Sequence, residues 1–570
     1  MGQSTTTVLQ WEGLKRQRCH PLLKYGLLTL TILSTAATSP LVMSIRTVSF
    51  LLFVCCALVP PVFVRTSNNA ADADLTFIHC SPLPPPPLVN FTQLVNHSDP
   101  SSTTFNQRIQ HYDRRPHLPG DAVLFYAGPE NAANVYTMAC TSLMQFAQQL
   151  NASGIIAAEH RFFGASWPDN VTKDNYRAVM SSLTLDNILA DYAAIIASFT
   201  RQGARYERGK VVVFGGSYGG FLAAMMRIKH ADVVFAAVAS ASPTQLTGSG
   251  VDTGLWYDTV ARIFTQQDCH CADALTSAFS DLKLALDAGN FTFVQEQLNL
   301  CILPSAPLIG EFMIMAMHAA QVIVQFNYPM KAAAKIPFPF QFFCSYLSSR
   351  PRPTLSDLQL LLDLGYNNSG TLHCFGPKQQ QLHLPSPVLL PFRALQLQQR
   401  PALHDISFEM SWYYITCTFF GMPIAAGAKS QSFFSFSYPY DLSAINKYCE
   451  TVLFWSGVTL QPSPPISDSM ILNSSRIIFS NQQLDPVAPF SIPRSLSDTL
   501  LLLTVANASH TQDIIAYDEQ VLVLCPVCFH AMNVPLRFFA SSRSQARAGA
   551  SVGDAGARTR SVYPSPVACC

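Results

Sequence analysis

The chain has 570 residues, of which 49% are hydrophobic and 12% are charged, and its formal net charge at pH 7 is +1. Such a length and apolar content exclude a disordered chain and suffice for a large α/β domain with an insertion. A net charge so close to zero argues against nucleic acid as a partner, because nucleic-acid-binding domains carry a strongly basic surface.

Residues 1–66 form an N-terminal extension with two apolar runs. The second run, at 50–59, follows Met43 and Arg46 and has the short basic region and apolar core of a signal peptide. The first run, at 25–42, lies upstream, where a signal peptide should already have begun. Either the true start is Met43, or both runs form an uncleaved anchor. Both alternatives predict the secretory pathway, and the protein contacts a membrane only if this segment is uncleaved.

Residues 67–241 are predicted to be the first part of an α/β core. Apolar runs at 123–126, 155–158 and 211–214 predict strands, and helical patterns at 137–150 and 184–199 lie between them. Strands that alternate with helices of this length predict a parallel sheet with crossover helices.

A tight turn follows the strand at 211–214. Its sequence is GGSYGG, at 215–220, and a helical run begins at Phe221. A serine flanked by glycines between a strand and a helix is a nucleophile elbow, whose strained backbone holds the side chain above the sheet edge. We therefore predict that Ser217 is the nucleophile. The backbone N–H of Tyr218, the next residue, is the predicted oxyanion donor.

The remaining core is predicted to follow a long insertion. Residues 242–450 are helical and proline-rich pieces, which predict a helical lid domain over the active site. The second part of the core, 451–518, has a strand at 476–480 leading to Asp485 and an apolar run at 500–505 leading to His510. The order Ser, Asp, His is that of α/β hydrolases, so we predict an α/β-hydrolase fold in which Asp485 orients the base His510.

Cysteines and sequons indicate an oxidising compartment. Eight cysteines lie in the catalytic region, an even number that predicts disulfides of undefined pairing: Cys140, Cys269, Cys271, Cys301, Cys344, Cys374, Cys417 and Cys449. No metal is expected, because the Cys-His-Cys run at 269–271 has no Cys pair at zinc spacing nearby. Eight sequons begin at Asn90, Asn96, Asn151, Asn170, Asn290, Asn367, Asn473 and Asn507. We expect little occupancy at Asn507, because the loop before His510 should lie tight against the lid.

The last segment, 519–570, is atypical. It contains CPVC at 525–528, a Ser/Arg/Ala/Gly-rich stretch, and Cys569 and Cys570 at its end. A redox pair, half a zinc site and lipidation are the functional alternatives. Its composition favours a disordered tail.

Several of these motifs together resemble the serine carboxypeptidases of the prolyl type. The matching segments are FNQR at 105–108, LFYAGPEN at 124–131, EHRFFGAS at 159–166, GGSYGG at 215–220, LDP at 484–486 and SHTQD at 509–513. The resemblance covers roughly residues 90–513. It implies an acid-active serine exopeptidase, without a cofactor, that cuts proline-containing peptides in a lysosome-like or secreted location. Whether it releases a C-terminal residue or an N-terminal dipeptide, and whether it is a homodimer, stay open.

The chain also departs from the family pattern. Pro129 replaces an Asn in the loop after the first core strand, so this position has no N–H to offer an oxyanion. In WYYITCTFFG, at 412–421, Ile415 and Phe419 replace Gln and Glu. The candidate substrate-binding residues are Trp412 in this segment and Glu130, which could bind an N-terminal amine or simply fix its loop.

Two alternative functions remain at this stage. The departures allow a catalytically silent glycoprotein on the same fold, although Ser217, Asp485 and His510 are all present. A lipase or esterase would use the same fold and triad. The EHRFFG segment and the family resemblance count against that second alternative.

Overall fold

The computed structural model describes residues 86–128, 130, 143–168, 171–172, 175–247, 254–329, 335–350, 353–376, 408–421, 446, 449–450, 453, 455–459 and 466–514. The predicted N-terminal extension and C-terminal tail lie outside these residues, as do Pro129 and Cys140.

One mixed sheet forms the centre of the described part of the chain. Its strands are β1 (Val89–Leu94), β2 (Thr104–Asp113), β3 (Ala122–Ala127), β4 (Gly154–Ala158), β5 (Lys210–Gly216), β6 (Ala236–Ser240), β7 (Ile477–Gln482) and β8 (Leu500–Val505). They lie in the order β1-β2-β4-β3-β5-β6-β7-β8. Strand β2 is antiparallel to β1 and β4, and the other neighbours are parallel.

This strand order is that of the α/β-hydrolase fold, so the predicted fold class is confirmed. The predicted strands correspond to β3, β4, β5, β7 and β8. Strands β1, β2 and β6 were not predicted. The first two are partly polar and lack a continuous apolar run, and β6 is a short strand made mostly of alanine, which has a low strand propensity.

Helices cover both faces of the sheet. They are α1 (Leu143–Gln149), α2 (Tyr176–Met180), α3 (Leu185–Thr200), α4 (Tyr218–Lys229) and the later α12 (Asp468–Leu472). Because side chains alternate along a strand, Val123 and Phe125 enter one hydrophobic cluster and Leu124 and Tyr126 the other. Both faces are thus buried, as a sheet with crossover helices requires.

A helical region follows β6 and has a hydrophobic cluster of its own. Its helices are α5 (Leu255–Gln267), α6 (Cys269–Asp287), α7 (Phe291–Leu298), α8 (Ile309–Gln325), α9 (Pro339–Ser348) and α10 (Asp357–Tyr366). By length and composition Ala306–Gln325 could cross a membrane, but 78% of its apolar window is buried inside the protein. We therefore interpret α8 as the core helix of this region.

Helix α11 (Phe408–Thr418) lies within the predicted lid segment but packs elsewhere. Trp412, Ile415 and Cys417 join the cluster on the sheet, not that of the helical region. The predicted domain boundaries themselves stay predictions.

Three disulfides join cysteines of the catalytic region within the residues that the structure describes. The disulfides are Cys271–Cys344, Cys301–Cys374 and Cys417–Cys449. The first two link parts of the helical region, and the third joins the end of α11 to a helical residue further along the chain. Among the described residues, no group of three or more His, Cys, Asp and Glu side chains is arranged to hold a metal.

Candidate active site

Ser217 lies at the carboxyl end of β5, directly before α4. Its backbone has φ 56° and ψ −126°, a conformation that is strained for a residue with a side chain. The turn holds it there because the Ser217 N–H donates to the carbonyl oxygen of Ser240, at 2.9 Å. This is the geometry of a nucleophile elbow.

Two glycines of the elbow are required by close approach. A Cβ at Gly215 would lie 2.0 Å from the carbonyl oxygen of Gly219, inside the turn. A Cβ at Gly216 would lie 2.4 Å from Ile514 Cδ1 and 2.9 Å from Thr511 Cγ2. The second contact matters for function, because it places the loop that carries His510 directly against the turn that carries Ser217.

Asp485 and His510 meet as a buried pair. Nδ1 of His510 lies 2.8 Å from Oδ2 of Asp485. Since a carboxylate only accepts, Nδ1 carries a proton, and in the neutral form of the ring Nε2 is the acceptor. The other carboxylate oxygen of Asp485 accepts the Val487 N–H at 2.9 Å, so the side chain is held on both sides.

The three predicted residues come from one edge of the sheet. Ser217, Asp485 and His510 follow the carboxyl ends of β5, β7 and β8, three parallel strands joined through β6. Ligand sites of α/β sheets form at this edge. The arrangement has the parts needed for nucleophilic catalysis by a serine.

The helical region contacts the loop of His510. The N–H of His510 donates to the carbonyl oxygen of Gln325 at 3.1 Å, and the Tyr328 hydroxyl donates to the carbonyl oxygen of His510 at 2.8 Å. The Phe326 ring stands edge-on to the imidazole, with centroids 6.4 Å apart. The end of α8 thus helps to position the base, which the sequence pattern did not reveal.

The EHRFFG segment is a structural support beneath the site. Glu159 accepts hydrogen bonds from Arg108 and Ser166. Arg161 forms a two-bond ion pair with Asp191, in which Nε and Nη2 each donate to one carboxylate oxygen at 2.6 Å. Arg161 also donates to three backbone carbonyl oxygens. These buried charges are therefore hydrogen-bonded as well as paired, which offsets the cost of removing them from water.

His160, between these two residues, contacts the elbow itself. Its Nδ1 donates to the carbonyl oxygen of Arg161 at 2.6 Å, which leaves Nε2 to accept from the Tyr218 hydroxyl at 3.1 Å. Burial lowers the pKa of His160 to about 4, so the ring is neutral and remains an acceptor. This hydrogen bond fixes the side chain of Tyr218, the residue whose backbone N–H is the predicted oxyanion donor.

Aromatic rings enclose the Tyr218 side chain. Trp412 and Phe420 stand edge-on to it, with centroid distances of 5.4 Å and 5.1 Å. Ile415 and Phe419, the apolar replacements in this segment, are buried in the same cluster. Apolar side chains suit this environment, because polar side chains buried here would need hydrogen-bond partners.

Glu130 has an unusual environment for a carboxylate. Its Oε2 is buried and has no hydrogen-bond partner among the residues that the structure describes. Burial raises the pKa of Glu130, and a hydrogen bond from its own backbone N–H and the nearby His510 oppose that rise. The bond to its own backbone fits the loop-fixing alternative, and the unpaired Oε2 fits a role in binding.

The sequon at Asn507, for which we expected little occupancy, has its asparagine on the exposed side of the loop, and its occupancy stays a prediction. Asn507 is exposed, while the next three residues, 508–510, are buried. Asn507 has a left-handed backbone with φ 54°, and the N–H of Asn507 donates to Gln483 Oε1 at 3.0 Å. Among the sequons that lie in the described residues, Asn367 is the buried one, and its side-chain nitrogen donates to Asp363 at 2.8 Å.

Comparison with known proteins identifies the family. A sequence model of the serine carboxypeptidase S28 family matches residues 93–521, most of the chain. The chain belongs to this family. It is a serine-type peptidase, and the resemblance to prolyl-type carboxypeptidases predicted from the motifs is confirmed.

The curated relatives agree with this assignment. The chain is 26% identical over 444 residues to human lysosomal Pro-X carboxypeptidase, covering 74% of this chain and 82% of that protein. The mouse lysosomal Pro-X carboxypeptidase is 25% identical over 496 residues, covering 82% and 92%. A solved structure of proline iminopeptidase from Mycobacterium smegmatis covers 79% of this chain and 97% of its own, at 11% identity and a TM-score of 0.32. The strand order, not this weak structural likeness, is what identifies the fold.

Proposed function

We propose that this peptidase is an exopeptidase that hydrolyses peptide bonds next to proline through Ser217, His510 and Asp485. The observation that carries the proposal is the buried 2.8 Å contact between His510 and Asp485, in a loop that packs against the Ser217 turn. The S28 family match and the name of the Pro-X carboxypeptidase relatives support the substrate class. Those names also support a lysosomal or secreted location.

In this mechanism Ser217 Oγ attacks the peptide carbonyl carbon while His510 Nε2 takes its proton. His510 then gives the proton to the leaving amine, which departs as the C–N bond breaks and an acyl-enzyme remains. Water, deprotonated by His510, attacks the ester and releases the acid and Ser217. Asp485 holds the Nδ1–H tautomer and stabilises the imidazolium in both halves of the reaction.

The oxyanion needs two donors in this scheme. The Tyr218 N–H lies at the first turn of α4, where helix amides point toward developing negative charge. The second donor is assigned to the loop after β3, near Gly128 and Glu130. Pro129 cannot serve, so a neighbouring amide of that loop must do so.

Glu130 and Trp412 are the proposed substrate-binding residues. A buried carboxylate oxygen that has no partner in the described part of the chain would gain from a cationic ligand, which fits a free N-terminal amine. Trp412 packs against the ring of Tyr218 and is 7% exposed, so we assign it to the wall beside the nucleophile. Such a role for Glu130 would fit dipeptide release from the N-terminus, whereas the names of the family and of its relatives support carboxypeptidase action, so both activities stay open.

A labelling experiment tests the nucleophile. The wild-type protein should react with a fluorophosphonate probe at Ser217, and Ser217→Ala should abolish the label. An exposed serine such as Ser497 supplies the control, since Ser497→Ala should label as the wild type does. A wild-type protein that resists the probe would favour the catalytically silent alternative.

Substrate profiling tests the specificity. We expect hydrolysis of X-Pro-Y peptides to exceed that of X-Ala-Y peptides and of p-nitrophenyl esters. An N-terminal block should abolish turnover if Glu130 binds the amine, and Glu130→Gln should raise KM for unblocked peptides at least tenfold, about 1.4 kcal/mol. Faster turnover of esters than of any peptide would favour the esterase alternative, and tolerance of the N-terminal block would favour carboxypeptidase action.

A further inference from the structure

Asp513 is a partly buried carboxylate that the proposed mechanism does not use. It follows His510 by three residues, in the short 3-10 helix Gln512–Ile514. Burial raises the pKa of its carboxyl, although hydrogen bonds from Ser240 and Ser480 act against that rise. Burying a carboxylate is unfavourable, so the position of Asp513 indicates a functional role.

Its hydrogen bonds reach two strand ends. Oδ1 accepts from the Ser240 hydroxyl at 2.5 Å and from the Gln482 side-chain amide at 2.8 Å, and Oδ2 accepts from the Ser480 hydroxyl at 2.5 Å. Ser240 ends β6, and Ser480 and Gln482 lie in the last three residues of β7. The carboxylate therefore joins the His510 loop to both strands.

Two of these three contacts continue to a residue of the proposed triad. The carbonyl oxygen of Ser240 holds the N–H of Ser217 at 2.9 Å. The carbonyl oxygen of Gln482 holds the N–H of Asp485 at 3.2 Å. Asp513 itself is carried by the loop of His510, so one carboxylate is connected to all three triad residues, reaching Ser217 through Ser240 and Asp485 through Gln482.

We propose that Asp513 is a positioning residue that holds His510 in register with Ser217 and Asp485. It does not orient the imidazole directly, since Asp485 contacts Nδ1. It sets the position of the loop relative to the nucleophile turn. A misplacement of about 1 Å between reacting groups costs roughly 100-fold in rate, so a bond network at this place controls kcat more than substrate affinity.

This proposal rests on the proposed function, and steady-state kinetics with fluorophosphonate labelling test it. Asp513→Asn keeps the shape of the side chain but replaces one carboxylate oxygen, a hydrogen-bond acceptor, with an NH₂ donor that faces a serine hydroxyl. We expect kcat on the best proline peptide to fall 10- to 100-fold, KM to stay within twofold, and the labelling rate of Ser217 to fall with kcat. The matched control is Asp498→Asn, which changes an exposed carboxylate before β8, at the opposite end of that strand, and should match the wild type.

Ser480→Ala gives a second measurement that is independent of folding problems in Asp513→Asn. It removes one hydroxyl donor to Asp513 and should lower kcat three- to tenfold at unchanged KM. The proposal is overturned if either folded variant keeps kcat within twofold of the wild type, if KM rises as kcat falls, or if Asp498→Asn is equally impaired. A wild-type protein that labels but does not cut proline peptides would contradict the proposed specificity alone, because labelling rates still test Asp513. If the wild type does not label at all, both proposals fail.

Discussion

Glu311 provides a test of how burial in the helical region depends on pH. It lies in the first turn of α8 with 6% of its surface exposed, and its Oε2 has no hydrogen-bond partner among the described residues. Burial raises its pKa from an ordinary 4.5 to about 8. The substitution Glu311→Gln removes the ionisable group and keeps the size of the side chain.

The sign of the effect follows from the direction of the pKa change. A carboxyl with a higher pKa in the folded state holds its proton more tightly there, so unfolding releases a proton between pH 4.5 and pH 8. The free energy of unfolding therefore falls as the pH rises through this window, by at most about 1.4 kcal/mol per pH unit. The full rise in pKa of Glu311 sets an upper limit of about 5 kcal/mol, reached above pH 8. Below pH 4.5 both states are protonated and the penalty is absent.

Urea unfolding between pH 4.5 and 8.5 measures this difference. We expect Glu311→Gln and the wild type to have similar stability at pH 4.5, and the variant to be more stable by a few kcal/mol at pH 8.5. Glu296→Gln, at an exposed carboxylate of α7, is the control and should follow the wild type. Parallel curves for Glu311→Gln and the wild type would refute the reasoning, because the carboxyl would then be solvated or paired. The expected behaviour suits an acidic compartment, where the protonated side chain costs little.

Three further predictions concern the site and its surface. Asp485→Asn should lower kcat about 10⁴-fold with KM little changed, because the base loses its orienting anion; a stopped assay detecting more than a tenth of wild-type turnover would contradict this. Tyr218→Phe should leave Nε2 of His160 without its donor and cost about 1–3 kcal/mol in urea unfolding, with kcat lowered severalfold; unchanged stability would mean that the hydroxyl contact is dispensable. In protein from a secretory host, glycopeptide mass spectrometry should find a glycan on the exposed Asn507 and none on the buried Asn367, and the reverse pattern would contradict the loop placement.

The sequence predicted β3, β4, β5, β7, β8 and the candidate triad because each depends on local signals. The apolar run at 211–214 predicts a strand by length and composition, and glycines around Ser217 predict the turn through backbone conformation. Chain order then assigned Asp485 and His510 without any knowledge of their contact. The structure adds that contact and the packing of the base loop against Gly216.

Contacts between distant segments could not be predicted in this way. His160 meets Tyr218 from 58 positions away, and Tyr328 meets His510 from 182 positions away. Neither pair has a spacing or composition that marks it, because such contacts depend on how strands and helices pack. The motif EHRFFG was visible only as a family resemblance, and its division into buried ion pairs and a support for Tyr218 needed the fold.

The polar residues at the ends of β6 and β7 also make contacts that the sequence does not predict. In the sequence, Ser240 and Ser480 are ordinary strand-end serines, and Asp513 is a polar residue of a loop. Parallel strands bring their carboxyl ends to one edge, so the serines of adjacent strands become neighbours once the sheet forms. A carboxylate that returns to this edge after β8 can then accept from both at once. Hydroxyl groups that look interchangeable in sequence therefore acquire a shared partner, and the proposed catalytic geometry depends on where three strands end as well as on the triad.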